Sequence, residues 1–205
     1  MVKMEYKEAY ACQDLVEIVR ILRAPGGCPW DAEQTHSSIR RNMIEEAHEA
    51  AEAIDLCDGA LLCEELGDLL LQVVFQAEIA AGGGRFTIDD VTTGICRKLI
   101  YRHPHVFGDL KVSGSEEVLA NWDKLKRQSK GHDSAADAMK AVSRALPGLM
   151  RLQKILGKAE KAPTLGSDAW TSRLLQLAQD ANAAGVDLET EADRACRQLI
   201  EQANA

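Results

Sequence analysis

Glu45-Glu46-Ala47-His48-Glu49 and Glu64-Glu65-Leu66-Gly67-Asp68 are the two stretches on which the reading of this chain turns. Both stand in apolar, helix-patterned surroundings. Met43, Ile44, Ala47, Ala50, Ala51 and Ile54 surround the first, and Leu66, Leu69, Leu70, Leu71, Val73, Val74 and Phe75 flank or follow the second. On a helix Glu46 and Glu49 share a face, as do Glu65 and Asp68, because positions three apart lie side by side. Leu56-Cys57-Asp58-Gly59 reads as a tight connection, so two antiparallel helices are expected. Four carboxylates then converge on a small volume, and their mutual repulsion is costly unless a cation lies among them. An all-oxygen donor set suits a hard divalent ion: Mg²⁺ is expected, with Mn²⁺ as a substitute. Two solvated acidic faces are the plainer alternative. The dense apolar flanks weigh against it, because a helix apolar on most sides is buried and turns its acids toward an interior or a cleft.

Composition fits that picture. The 205 residues are 46% apolar but only 4% aromatic, rich in Ala and Leu, as in an all-α helical bundle. A formal charge of −8 argues against a broad surface for a nucleic acid polymer, though not against a local basic pocket for a small phosphate compound. No apolar run reaches about 18 residues, so no membrane span is expected. Met1 to Tyr10 carries Lys3, Glu5, Lys7 and Glu8 and does not resemble a signal peptide. The six cysteines form no Cys-x-x-Cys pair and read as free thiols of a cytoplasmic protein.

Helices are expected over about Met4–Arg23, from a cap at Thr35 or Ser37 to Leu56, over Ala60–Ala81, and from Thr87 to Arg102. Pro25-Gly26-Gly27-Cys28-Pro29 and Gly82-Gly83-Gly84 break the pattern. Ser115 opens a further helix, Lys126–Asp137 reads as a mobile polar connection, and shorter helices follow over Leu146–Lys161, Asp168–Ala184 and Leu188–Asn204. Cys96-Arg97-Lys98-Leu99-Ile100 reappears as Cys196-Arg197-Gln198-Leu199-Ile200, and Leu70-Leu71-Gln72 as Leu174-Leu175-Gln176. The last forty or so residues thus read as a shortened second copy of the 65–102 helix pair. Ala169 and Ser172 stand there for Glu65 and Asp68, and Gln198 and Gln202 for Lys98 and Arg102, so the copy lacks the charges of a site.

An Mg²⁺ site suggests a phosphate-bearing ligand, since this ion shares its shell readily with phosphate oxygens. Lys98 and Arg102 lie four apart on one expected helix, and Lys126 lies four beyond Trp122 on another, which places each pair on one face. Trp30, after a Pro-containing turn, and Trp122 are each able to stack on a base, although Trp in a helical bundle more often fills a core. His103-Pro104-His105 lacks the third ligand of a zinc site and reads as the stop of the Lys98–Arg102 helix, while His36 and His132 carry no signal of their own.

Taken in order, these motifs resemble the MazG family of nucleoside triphosphate pyrophosphohydrolases. The resemblance spans about Leu15 to Lys126. It rests on Gly27-Cys28-Pro29-Trp30-Asp31 with Gln34-Thr35-His36, the two acidic clusters running on through Leu69 to Phe75, Gly84-Arg85-Phe86, Lys98 to Gly108, and Asn121-Trp122. Arg144-Ala145-Leu146-Pro147 adds a weaker likeness beyond it. The resemblance implies a MazG-like all-α bundle packed as a dimer, Mg²⁺ dependence, and cleavage between the α and β phosphates to give nucleoside monophosphate and pyrophosphate. It implies metal ligands at Glu46, Glu49, Glu65 and Asp68, phosphate-facing Lys98, Arg102 and Lys126, and Trp122 near the base; Trp30 is expected, from its own setting, as a further substrate contact. Glu45 is placed to act as general base or to support the ligands. The expected organisation is a catalytic domain over 1–130 and a helical extension over 131–205, and the expected role is control or cleansing of the nucleotide pool. Departures from the family pattern are His48, where relatives often carry Tyr, and the reduced C-terminal part. The rival readings are a related pyrophosphatase for dUTP or phosphoribosyl-ATP, a non-catalytic nucleotide-binding regulator, and a di-iron carboxylate bundle. The last is disfavoured because only Glu45-x-x-His48 has the Glu-x-x-His spacing of which such sites need two.

Overall fold

Asp58 starts the longest helix. Its Oδ1 accepts from the backbone N–H of Ala60 and of Leu61, both at 3.0 Å, which satisfies two of the donors a helix leaves free at its first turn. The preceding helix closes one residue earlier through Cys57, which takes a left-handed φ of 55° while Asp58 N bonds back to Ala53 O at 3.1 Å. The connection between α3 (Arg40–Asp55) and α4 (Gly59–Gly82) is therefore the tight one expected, and these two helices pack more closely than any other pair.

The computed structural model describes residues 6–130, 134–158, 169–192 and 194–195, and among these it is all-α with no strand. The other helices are α1 (Cys12–Arg23), α2 (Pro29–Glu33), α5 (Ile88–Arg102), α6 (Pro104–Phe107), α7 (Ser115–Lys130), α8 (Ala135–Lys140), α9 (Gly148–Leu156) and α10 (Ala169–Ala184). Their contacts separate the chain into two units, Met1–Tyr101 and Arg102–Ala205.

In the first unit the core forms where α1 crosses the C-terminal half of α4. Val16 and Val19 meet Ile39, Val74 and Phe75, and Leu15, Leu71, Ile79 and Ile88 close around them. Arg20 of α1 reaches Glu78 of α4 at 3.5 Å. His36 ties the link before α3 to the end of α4: its ring bonds to the Gln76 side-chain oxygen and to the Arg85 guanidinium. Arg85 can only donate, so Nε2 accepts and the hydrogen is assigned to Nδ1, which donates to Gln76. This pairing accounts for the Gln34-Thr35-His36 and Gly84-Arg85-Phe86 motifs in structural terms, although His36 showed no signal in the sequence.

The second unit has its own small core of Ala178, Ala181 and Leu188 against Leu149, Leu152 and Leu156. Pro147 offers α9 no side-chain cap, and Glu189 fills that role from elsewhere, accepting from Leu149 N at 3.0 Å and Met150 N at 3.2 Å. Two helix ends, one in each unit, close in the same common way. Gly84 and Gly185 both adopt left-handed φ, 65° and 68°, and the next residue bonds five back in each case, Arg85 N to Ala80 O and Val186 N to Ala181 O. Ile88 and Leu188 then enter their respective cores. The Cys196–Ile200 half of the likeness lies outside the described residues, as do His132 and the end of the last expected helix.

Three expectations need correction. The first helix begins at Cys12, not Met4, because Asp14 accepts from Ala11 N at 2.8 Å and fixes the start there. The helix of Trp122 runs on to Lys130, through part of the connection expected at Lys126–Asp137, and α8 follows with Ser134 capping Asp137 N. The apolar flanks of the acidic clusters are only partly enclosed: Ile44, Ile54, Leu66 and Leu70 are exposed, whereas Ala50, Val74 and Phe75 are buried, the core taking the far half of α4.

A left-handed non-glycine residue costs about 1–2 kcal/mol, partly offset because glycine loses more entropy on folding. Cys57→Gly is therefore expected to stabilise the protein by about 0.5–1 kcal/mol, read as a higher urea midpoint with unchanged slope.

Candidate functional site

Glu46 and Glu49 on α3 face Glu65 on α4, and one carboxylate oxygen from each lies within 4.8 Å of the other two. The hairpin makes this possible: a three-residue link sets the helices antiparallel, and the i, i+3 spacing aims each pair at the partner helix. Glu46 and Glu65 are half-buried and Glu49 is exposed. Desolvation raises the affinity of Glu46 for a proton, and the charges of Asp68, Glu49 and Glu65 add to it, as does a hydrogen bond to Glu49 that needs a proton on one of the two. Glu65 is raised in the same way, by desolvation and then by Glu49, Asp68 and Glu64. Asp68 thus acts electrostatically on both, although it lies outside the tight group of three. No histidine belongs to that group, and His48 is exposed.

The donor set fits a hard divalent cation. Three to four carboxylates without a basic partner among the described ion pairs are what such an ion neutralises. Glu45 differs: it bonds to Arg41 on its own helix at 2.7 Å, and the structure does not bring it into the group.

The remaining expected site residues fall in both units. Lys98 is exposed on α5 in the first unit, and Trp30 is exposed on α2. In the second unit Arg102 is only 6% exposed; its Nη2 donates to Ser129 Oγ at 3.0 Å, and its guanidinium lies over the Trp122 ring at 5.5 Å. Arg102 Nε is buried without a hydrogen-bond partner among the described residues. His103 meets the Trp122 ring edge-on at 4.8 Å, and its own ring lies 5.6 Å from that of His105. Lys126 is half-buried one turn beyond Trp122. Ser129 and His103 are the members of this cluster that sequence reasoning missed as parts of the site. A Ser 27 residues along the chain from Arg102 gives no periodic signal.

The MazG nucleotide pyrophosphohydrolase domain matches residues 34–107, which include both acidic clusters, Lys98 and Arg102. The chain is 49% identical over 138 residues to the uncharacterized protein YabN of Bacillus subtilis, across 67% of this chain and 28% of that one. It is 43% identical over 159 residues to a nucleoside triphosphate pyrophosphohydrolase of Escherichia coli K12, across 77% of this chain and 59% of that one. A nucleoside triphosphate pyrophosphohydrolase/pyrophosphatase MazG of Thermotoga maritima is 42% identical over 156 residues, 76% of this chain and 58% of its own length. The chain belongs to the MazG family. It spans between about a quarter and three fifths of the length of these relatives.

Because the folded state holds Glu46 and Glu65 above their ordinary range, their contribution favours folding at low pH and is lost as pH rises through that range. Asp14, Asp90 and Glu117 are lowered by hydrogen bonds and work in the opposite sense, so the diagnostic quantity is a difference between variants. Glu49→Gln is expected to raise the cation-free Tm at pH 7 and to narrow its gap to the Tm near pH 4. Mg²⁺ at ten times its Kd should stabilise wild type at pH 7 by about 1.4 kcal/mol and Glu49→Gln by much less, both measured by thermal unfolding.

Proposed function

We propose that the protein hydrolyses nucleoside triphosphates to nucleoside monophosphate and pyrophosphate, with Mg²⁺ held by Glu46, Glu49, Glu65 and Asp68. The observation that carries this reading is the convergence of three carboxylates within 4.8 Å, in a chain of the MazG family. The names of the Escherichia coli and Thermotoga maritima relatives support the reaction class. When bound, the ion supplies Lewis-acid activation of phosphate and water. Water attacks the α phosphorus in line, the bond to the bridging oxygen of the β phosphate breaks, and pyrophosphate departs. Glu46, Glu49, Glu65 and Asp68 would hold the cation. Lys98, Arg102 and Lys126 offset the charge that develops on the leaving pyrophosphate. Glu45, paired with Arg41 on the same helix, acts as general base or supports the ligand helix from beside the site.

In this reading the catalytic domain runs over 1–130, residues 131–205 form a helical extension, and the protein works in the cytoplasm on the nucleotide pool. The carboxylate-only group supports Mg²⁺ over a di-iron centre, which would call on histidine. A homodimer completes the proposal. Leu66 and Leu70 on α4, and Val91, Ile95 and Leu99 at four-residue intervals on α5, are 38–50% exposed, two apolar strips of the kind a second copy covers.

Product analysis with Mg²⁺ and a panel of NTPs, dNTPs and dUTP tests the reaction. Pyrophosphate and monophosphate are expected, lost on chelation and at least 100-fold reduced in Glu49→Ala and Asp68→Ala, in keeping with the loss of principal charge-stabilising groups. Orthophosphate as the first product, or retained activity in both variants, refutes the reading. Light scattering should give twice the chain mass for wild type and the single-chain mass for Ile95→Asp.

A further inference from the structure

Gln72 of α4 is only 8% exposed, and its Oε1 is buried without a hydrogen-bond partner among the described residues. A buried amide oxygen with nothing to accept from is rare in a folded protein and costs stability. Packing alone would favour Leu or Met at such a position, and Leu69, Leu70, Leu71, Val73 and Val74 surround it in the chain. The reaction as described so far makes no use of this side chain.

The helix puts Gln72 on the carboxylate face. It follows Asp68 by four residues and Glu65 by seven, positions that stack along one side of a helix. On α3, Asn42 precedes Glu46 by four and Glu49 by seven, the same relation run in reverse. Among charged neighbours Asp68 acts most strongly on Glu46, and Glu49 most strongly on Glu65, so 46 faces 68 and 49 faces 65 across the hairpin. One step further along this register brings Asn42 opposite Gln72. The next brings Ile39 opposite Phe75, two members of one buried cluster. Gln72 therefore lies between the carboxylates and the core, at the inner end of the site. Asn42 is half-buried and leaves the Gln72 oxygen unpaired.

An uncharged oxygen at this point has a definite chemical use. Mg²⁺ gives up its waters reluctantly, and those it keeps are hydrogen-bond donors that need acceptors beyond the ligands themselves. An amide oxygen accepts from such a water without adding to the crowd of negative charge. We propose that Gln72 is a positioning residue of the cation site, its Oε1 accepting a hydrogen bond from a water of the hydrated ion. This rests on the Mg²⁺ reading above and names the group that orients the ion's water. The acceptor is unsatisfied in the cation-free protein and satisfied in the loaded one, so its removal shifts stability and cation affinity in opposite directions.

The test uses the full chain free of nucleotide, with MgCl₂ as the only ligand, and reads the calorimetric Kd for Mg²⁺ and the Tm with and without it. Gln72→Met, close in shape and without a strong acceptor, should raise the cation-free Tm and weaken Mg²⁺ binding about tenfold or more. Gln72→Leu repeats the comparison with a second apolar side chain. Gln72→Glu restores an acceptor among like charges, so it should lower the cation-free Tm at pH 7 and bind Mg²⁺ at least as tightly as wild type. At saturating Mg²⁺ and ATP, Gln72→Met should lower kcat about tenfold with KM for ATP unchanged. Unchanged Mg²⁺ affinity in both apolar variants overturns the proposal. So does a fall in their cation-free Tm, which would mark the amide as a packing group already satisfied at rest. A wild type that binds Mg²⁺ without cleaving nucleotides refutes hydrolysis alone and leaves the Kd comparison to judge Gln72. A wild type that binds no Mg²⁺ refutes both.

Discussion

Repulsion among Glu46, Glu49, Glu65 and Asp68 is the constraint around which the first unit is organised. Like charges separate unless the backbone denies them room, and here a three-residue link between two long helices does so. The energy that keeps them together is supplied elsewhere, by Val16, Val19, Val74 and Phe75 where α1 crosses the far half of α4. The site is thus strained at one end of a helix whose other end is anchored. Desolvation first, and then that crowding of like charge, raises the proton affinity of Glu46 and Glu65, and in the proposed reading a divalent cation would relieve it.

Much of this was legible in the sequence because it depends on short-range periodicity. Two acid pairs at i, i+3, a turn between them and apolar residues around them specify a helical hairpin and its shared face. Leu56-Cys57-Asp58-Gly59 marked the turn before α4, and Gly82-Gly83-Gly84 its end. What sequence reasoning missed arises from contacts distant in the chain. His36 meets Gln76 and Arg85, Ser129 meets Arg102, and Glu189 caps α9, and none of these pairs shares a period or a turn. The start of α1 was misplaced for a related reason. Helix-compatible residues continue back to Met4, yet a single carboxylate on Ala11 N ends the helix there.

The apolar flanks misled in a more instructive way. Hydrophobic neighbours implied enclosed acids, but pattern alone does not say which molecule does the enclosing. The far half of α4 is buried by its own chain, whereas Leu66 and Leu70 beside the acids are exposed. In the proposed homodimer such a face would be covered, and burying it would lower the local dielectric at the acids. Assembly would then raise the cost of leaving the carboxylates uncompensated, so that cation binding and association would favour one another.

The basic side of the proposed reaction has the opposite physical problem. A guanidinium that meets phosphate must be partly desolvated to be worth much, and an isolated one would turn back to water. Arg102 is held from doing so by Trp122 and by Ser129, contacts that satisfy its face and one donor while leaving Nε unpaired. A buried donor without a partner is costly in the resting protein, and a phosphate oxygen that met it would recover that cost on binding. Crowded carboxylates and a guanidinium withheld from water are therefore two forms of the same situation. Each holds unfavourable energy that a ligand of opposite charge would release.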